Sequence, residues 1–326
     1  MLSCKLLSWN INGIKTKFKS DEVLDLISGY DIVTVSESHL NVLNKCPEDF
    51  LLVARSKPIE SLSPRGGVAV YKKIKSEFDT VVVSDELKDC VIFRILPVEI
   101  VCVAMYIPPS NSKYHTPEYM ENLRLILSNF KLLPTCLMGD LNTRFGQPSV
   151  HNKDITYKIN PDKDMNTNGR ALIRILTEEK SFVIVNGIQT SSLDADMDYT
   201  FLRGKTCSQN DVLLVNNTEL VTKFNILDRN LYSDHKPLSI TLSAKPKAPL
   251  EFVAECAQDT FKHDCYDINK KILKTVKLSQ LDVPNCIEAL DAAADELKAM
   301  METQTLTNNE ICTKITNIIY STCKSN

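Results

Sequence analysis

What most constrains the fold of this chain is a series of short apolar runs, each bordered by a compact polar motif. The first run leads into Trp9-Asn10-Ile11-Asn12-Gly13. Asp31-Ile32-Val33-Thr34-Val35-Ser36 leads into Glu37, and a third run leads into Gly139-Asp140-Leu141-Asn142. Ser233-Asp234-His235 stands just before the run Pro237–Leu242. Runs of this length read as buried strands, so each motif belongs at a strand end. Strands of one sheet gather such ends at one rim. That rim would hold carboxylates, carboxamides and one imidazole: hard oxygen donors beside a proton carrier. Such a set suits a divalent cation and a phosphate ester.

Eleven segments read as strands: 4–9, 31–36, 50–54, 67–72, 79–83, 90–96, 100–106, 135–139, 182–186, 211–215 and 237–242, many dominated by Val and Ile. Three helices interrupt them at 19–29, 117–130 and 168–180, the second with Thr116 as N-cap and Pro117 at its first position. Connections mix hairpin turns such as Pro97 to Glu99 with helical crossovers, so mixed sheets follow. The expected architecture is α/β: two packed mixed sheets flanked by helices. Lys245-Pro246-Lys247-Ala248-Pro249 reads as a linker. It divides a domain of residues 1–245 from a tail, 246–326, with helical patterns at 260–278, 285–302 and 308–323.

Composition narrows the class of function. Residues 246–326 hold 9 Lys against 12 Asp plus Glu, out of a chain total of −3, so residues 1–245 are neutral. A neutral domain does not grip nucleic acid by bulk charge, and any affinity for a phosphate polymer rests on local patches and bound metal. No apolar run is long enough to cross a membrane. The N-terminus reads as a first strand rather than a secretory signal. Eleven cysteines, an odd number with no Cys-x-x-Cys pair, point to an intracellular, reducing setting without disulfides or zinc.

Locally, each motif has two readings. Gly139-Asp140-Leu141-Asn142 is a pair of pocket-facing polar groups or a plain turn. His235 is a general base or charge stabiliser, or part of a surface turn. Asp211, entering an apolar run, needs a partner, and an imidazole would serve. Tyr106, before Pro108-Pro109, is a phosphate contact or a packed tyrosine. Lys15, Lys17 and Lys19 line a phosphate backbone or a solvated face, and His39 touches substrate or solvent.

The order of the motifs is more specific than any one of them. Asn10, Glu37, Tyr106-x-Pro108-Pro109, Gly139-Asp140-x-Asn142, Asp211 and Ser233-Asp234-His235 together resemble the endonuclease/exonuclease/phosphatase superfamily across 1–245. Trp9 to Gly13, Ser36-Glu37-Ser38-His39-Leu40, Tyr199-Thr200-Phe201 before Ser208-x-x-Asp211, and Asn168-Gly169-Arg170 are most similar to the endonuclease domain of LINE-type, non-long-terminal-repeat retrotransposons. The resemblance implies a four-layer, DNase I-like sandwich. It implies Asn10, Glu37 and Asp234 around magnesium, with manganese as an alternative. Asp140 and Asn142 would meet the attacking water and the phosphate, Tyr106 would contact phosphate, and Asp211 would orient His235. It further implies nicking of DNA at a nuclear site of action, with a reverse transcriptase domain or another protein as partner of the tail. Ser36 and His39 depart from the Gln and Lys of the abasic-site repair enzymes, and Ser208-Gln209-Asn210-Asp211 departs from the Trp-Cys-Asp-Arg of the inositol phosphatases. Those rival phosphodiesterases, an RNA or phospholipid-headgroup hydrolase, and a silent remnant that only binds a partner are the alternatives.

Overall fold

The computed structural model describes residues 1–40, 46–56, 66–148, 155–228 and 231–246. The helical patterns at 260–278, 285–302 and 308–323, and the linker beyond Pro246, lie outside the described residues. In chain order the strands are β1 (Leu2–Asn10), β2 (Ile32–Ser36), β3 (Phe50–Arg55), β4 (Val68–Lys73), β5 (Asp79–Ser84), β6 (Cys90–Leu96), β7 (Ile100–Met105), β8 (Thr135–Asp140), β9 (Thr156–Tyr157), β10 (Val183–Ile184), β11 (Ile188–Gln189), β12 (Phe201–Arg203), β13 (Thr206–Ser208), β14 (Asp211–Val215), β15 (Val221–Ile226) and β16 (Leu238–Ala244). The α-helices are α1 (Asp21–Ser28), α2 (Glu118–Phe130) and α3 (Thr167–Glu179).

Two six-stranded mixed sheets result, in the orders β15-β16-β1-β2-β4-β3 and β10-β14-β8-β7-β6-β5. Each is built on a single parallel pair. β1 and β2 are joined through α1, and β7 and β8 through α2, because a parallel connection needs a crossover. All other pairings within these two sheets are antiparallel.

Alternation along the strands sorts side chains between two cores. Cys4 and Leu6 of β1 join a cluster with Phe93, Cys102, Met138 and Leu213 of the other sheet. Leu7 and Trp9 point the opposite way and pack with Val23 and Ile27 of α1. Each fully buried Leu, Ile or Phe contributes about 1.5–3 kcal/mol, so this two-sided filling dominates stability. Among the described residues the cysteines are free, and Cys4, Cys90, Cys102 and Cys136 are buried as small hydrophobes. Among the described residues no helix is long and apolar enough to cross a membrane.

All eleven strand segments read from the sequence are strands, and the three helices fall where expected within one or two residues at most ends. The start of α2 is corrected. Pro117 itself is the N-cap with helical angles, and Thr116 supplies no side-chain cap. α3 begins one residue early, because Asn166 caps it by accepting from Gly169 N at 2.7 Å. His115 is half-buried beside the Tyr119 ring. His151 and His263 lie outside the described residues.

Candidate active site

Strand direction explains why the polar motifs meet. β1 and β2 are parallel, so Asn10 stands beside Ser36 in register and Glu37 follows at the same rim. β7 and β8 are parallel too, and end in Met105, next to Tyr106, and in Asp140. β14 runs antiparallel to β8, so its first residue, Asp211, lies directly opposite Asp140. β16 runs antiparallel to β1, which puts His235, three residues before it, at that rim as well.

Asn10, Asp140, Asp211 and His235 form one hydrogen-bonded chain. His235 Nδ1 is 2.8 Å from Asp211 Oδ2, and His235 Nε2 is 3.7 Å from Asp140 Oδ2. The Asn10 carboxamide donates to Asp140 Oδ2 at 2.8 Å and to Glu37 Oε1 at 3.0 Å. Its oxygen accepts from Asn12 N at 3.1 Å, which fixes the orientation of the amide. Asn142 N donates to Asp140 Oδ1, and the Asn142 side chain donates to Ile107 O.

Two carboxylates opposite each other on neighbouring strands repel, and burial makes each charge costly. Burial, with the charges of Asp211 and Glu37, pushes Asp140 up to about 7, although His235 and the Asn10 hydrogen bond oppose the rise. Burial alone would lower His235, but Asp211 and Asp140 outweigh it and raise the imidazole to about 9. The imidazolium between two acids is what makes the cluster tolerable.

The supporting contacts are dense. Thr200 Oγ1 accepts from both Asn210 N and Asp211 N at 2.9 Å, pinning the start of β14. The indole of Trp9, the single tryptophan of the chain, donates to His235 O at 3.0 Å. Ser233 Oγ donates to Asn10 O and accepts from His235 N. The Phe201 ring lies edge-on, 5.0 Å from the imidazole. Asn168 donates to Leu141 O and Pro108 O from α3. Gly139 has φ +143°, and a β-carbon there would lie 2.0 Å from Met105 O, so only glycine lets β8 deliver Asp140 beside β7.

A second group of residues borders this chain on the open side. Glu37 has φ +47°, and its carbonyl accepts from Gly13 N at 2.7 Å. Its Oε2 lies 3.7 Å from His39 Nε2. Tyr106 is held neutral, its phenol raised first by burial, then by the charges of Glu37 and Asp140. Asp234 Oδ2 lies 3.7 Å from Arg203 Nε, and Asp234 O accepts from Leu202 N of the β12–β13 hairpin. The Lys17 ammonium bonds the carbonyls of Ile11 and Asn12. Burial lowers its pKa, while the charges of Glu37 and Asp234 both act to raise it.

The ligand atoms of Asp140, Asp211 and His235 lie within 4.8 Å of one another, as a metal site would require. Those three, however, are already engaged, Asp211 with His235 and Asp140 with Asn10 and Asn142. Glu37 and Asp234 are partly exposed oxygen donors, a chemistry that suits a hard cation that keeps part of its water shell. Of the residues singled out in the sequence, Asn10, Glu37, Tyr106, Asp140, Asn142, Asp211, Asp234 and His235 lie at this rim with Lys17 and His39 beside them, whereas Lys15 and Lys19 are exposed. Sequence reasoning did not assign roles to Thr200, Ser233, Asn168 or Arg203. A buried indole N–H demands an acceptor, so Trp9 was the legible clue to a polar partner nearby.

Residues 7–235 match the family model described as Endonuclease/Exonuclease/phosphatase family. Among solved structures, the chain is similar to the AP endonuclease LMAP from Leishmania major, with 13% identity, TM-score 0.57, and 74% of this chain and 88% of that one covered. It is similar to the endonuclease domain of TRAS1, a telomere-specific non-LTR retrotransposon, with 16% identity, TM-score 0.54, and 74% and 99% covered. An AP endonuclease from Archaeoglobus fulgidus gives 18% identity, TM-score 0.52, and 74% and 100% covered. No curated protein matches the sequence. At these identities the structural likenesses speak for the fold, which is the DNase I-like sandwich of two mixed sheets with flanking helices. The family match spans β2 to β15, the rim end of β1 and each polar motif at the rim, and by it the chain belongs to the endonuclease/exonuclease/phosphatase family.

Proposed function

We propose that this protein is a magnesium-dependent phosphodiesterase that nicks DNA, as a LINE-type retrotransposon endonuclease does. The observation that carries the reading is the Asp211–His235–Asp140 cluster, joined through the Asn10 carboxamide to Glu37. Glu37 and Asp234 would hold the divalent ion, with the Asn10 carboxamide beside them. When bound, such an ion neutralises charge on the phosphate and the leaving oxygen. The protein's own groups supply the rest. Asp140 takes the proton of the attacking water. His235, oriented through Nδ1 by Asp211, places its charge against the phosphoryl group as negative charge builds there. Asn142 keeps a second amide N–H after bonding Ile107 O, and Tyr106 offers a neutral hydroxyl, both for phosphate oxygens.

DNA is supported as substrate by the names of the similar structures, an AP endonuclease and a retrotransposon endonuclease domain. The Ser36 and His39 departures favour the retrotransposon type over the abasic-site type. A nuclear site of action and a reverse transcriptase partner for residues 246–326 belong to the same reading. The test is nicking of supercoiled plasmid by the purified chain at low salt, with magnesium and with chelator, beside His235→Ala. Magnesium-dependent open circles that the variant fails to make support the reading. Equal nicking by the variant sinks it.

A further inference from the structure

Asp89 lies in the turn before β6, in none of the motifs read from the sequence, and is 3% exposed with φ +52°. A buried acid in left-handed backbone is costly twice over, so its bonds are informative. Its Oδ1 accepts from Gly67 N at 2.6 Å, and its Oδ2 accepts from the Tyr119 hydroxyl of α2 at 2.5 Å. Its own carbonyl accepts from Tyr106 N at 2.8 Å. Gly66 and Gly67, which the carboxylate clasps, accept in turn from the two residues after Glu37: Gly67 O from Ser38 N at 3.0 Å and Gly66 O from His39 N at 3.1 Å. The packing leaves no slack, since a β-carbon on Gly66 would lie 3.0 Å from Asp89 Oδ1 and one on Gly67 3.0 Å from Ser38 Oγ.

We propose that Asp89 is a positioning residue: it locks the Gly66-Gly67 strand entry against the Glu37–His39 turn and, through its carbonyl, sets Tyr106 beside them. Glu37 sits at a positive φ that a non-glycine residue does not hold without external bonds. Those bonds come from Gly13 on one side and from the Gly66-Gly67 carbonyls on the other, and Asp89 holds that segment through Gly67 N. Tyr119 completes the chain, so α2, on the far sheet, is tied to a turn of the near sheet through one carboxylate. The negative charge of Asp89 also lies within electrostatic reach of Glu37. The inference rests on the functional reading above only in taking Glu37 as facing a metal ion.

Asp89→Asn and Tyr119→Phe in the full chain, each with chelator present, test it by hydrogen–deuterium exchange. Asp89→Asn removes the charge. Tyr119→Phe removes one bond and leaves the acid in place, so it remains informative if the first variant folds poorly. Expected is an exchange about tenfold faster at Ser38, His39, Gly67 and Tyr106, with β8 and β14 unchanged. Manganese titrated calorimetrically into each variant should then bind about tenfold more weakly than into wild type, with turnover at saturating metal retained within about threefold. Unchanged exchange overturns the proposal, and so does uniform acceleration across both sheets, which would mean general destabilisation. Local acceleration with unaltered manganese affinity overturns the link from Asp89 to the metal-facing role of Glu37. If wild type itself binds no manganese, the metal reading of the site fails while the exchange result still decides the role of Asp89.

Discussion

The two halves of the rim differ in how closed they are. Asp140, Asp211 and His235 are 1%, 2% and 7% exposed, and their polar atoms are engaged with one another and with Asn10 and Asn142. The side chains of Glu37 and Asp234 are 25% and 31% exposed. The closed half suits proton movement, which needs fixed distances and a field undiluted by water. The open half suits a hydrated divalent ion, which needs oxygen donors and room for its remaining waters. On the proposed reading, one rim separates two tasks by burial.

The largest expected effect breaks the closed half. Asp211→Asn cannot accept the Nδ1 proton as an anion, so it unsettles both the tautomer and the charge of His235. Plasmid nicking should fall by about 10³-fold or more and should not recover with added magnesium. Recovery at high magnesium would erase the distinction between the halves. Next comes Glu37→Gln in the open half, which should raise the magnesium concentration for half-maximal nicking by about 10–100-fold. Its rate should approach that of wild type at saturation. A fall in rate that magnesium cannot repair would place Glu37 with the closed half.

The smallest effect concerns the brace outside both. Arg144 holds Asp162 by a two-pronged ion pair and reaches Asp164, next to the loop that follows Asn142. Burial pushes the Asp162 carboxyl up, but the Arg144 guanidinium outweighs it and keeps it below the usual range. A lowered folded pKa stabilises above the unfolded value of 3.8, and the contribution fades as pH falls through the folded value. Arg144→Gln leaves Asp162 buried and unpaired, at a cost of about 2 kcal/mol near pH 7. Melting curves should show the gap to wild type narrowing toward pH 3–4, where the orphaned acid is neutralised. A gap that widens with acid would contradict the pairing.

Much of this was legible because apolar runs of Val and Ile have a period that the eye can follow, and because a charged residue ending such a run stands out. Glu37, Asp140 and Asp211 were visible for that reason. β15 was not, since a bulge between Val221 and Lys223 breaks its alternation. The β12–β13 hairpin escaped because its residues are half-exposed and its strands are three residues long. Asp89 escaped for a different cause: in sequence it is one more acid in a polar turn, and only the approach of Gly67, Tyr106 and Tyr119 gives it work. The register that sets Asp140 opposite Asp211 is likewise a property of strands 70 residues apart, and pairing across that distance leaves no local trace.

Gly139 carries a consequence for anyone who mutagenises this chain at random. With the Met105 carbonyl 2.0 Å from where a β-carbon would go, nineteen of the twenty amino acids are shut out at a position that touches no substrate. A selection for active clones would return glycine there as strictly as it returns the acid beside it. Invariance at neighbouring codons would then report two unrelated demands: one for a carboxylate and one for empty space.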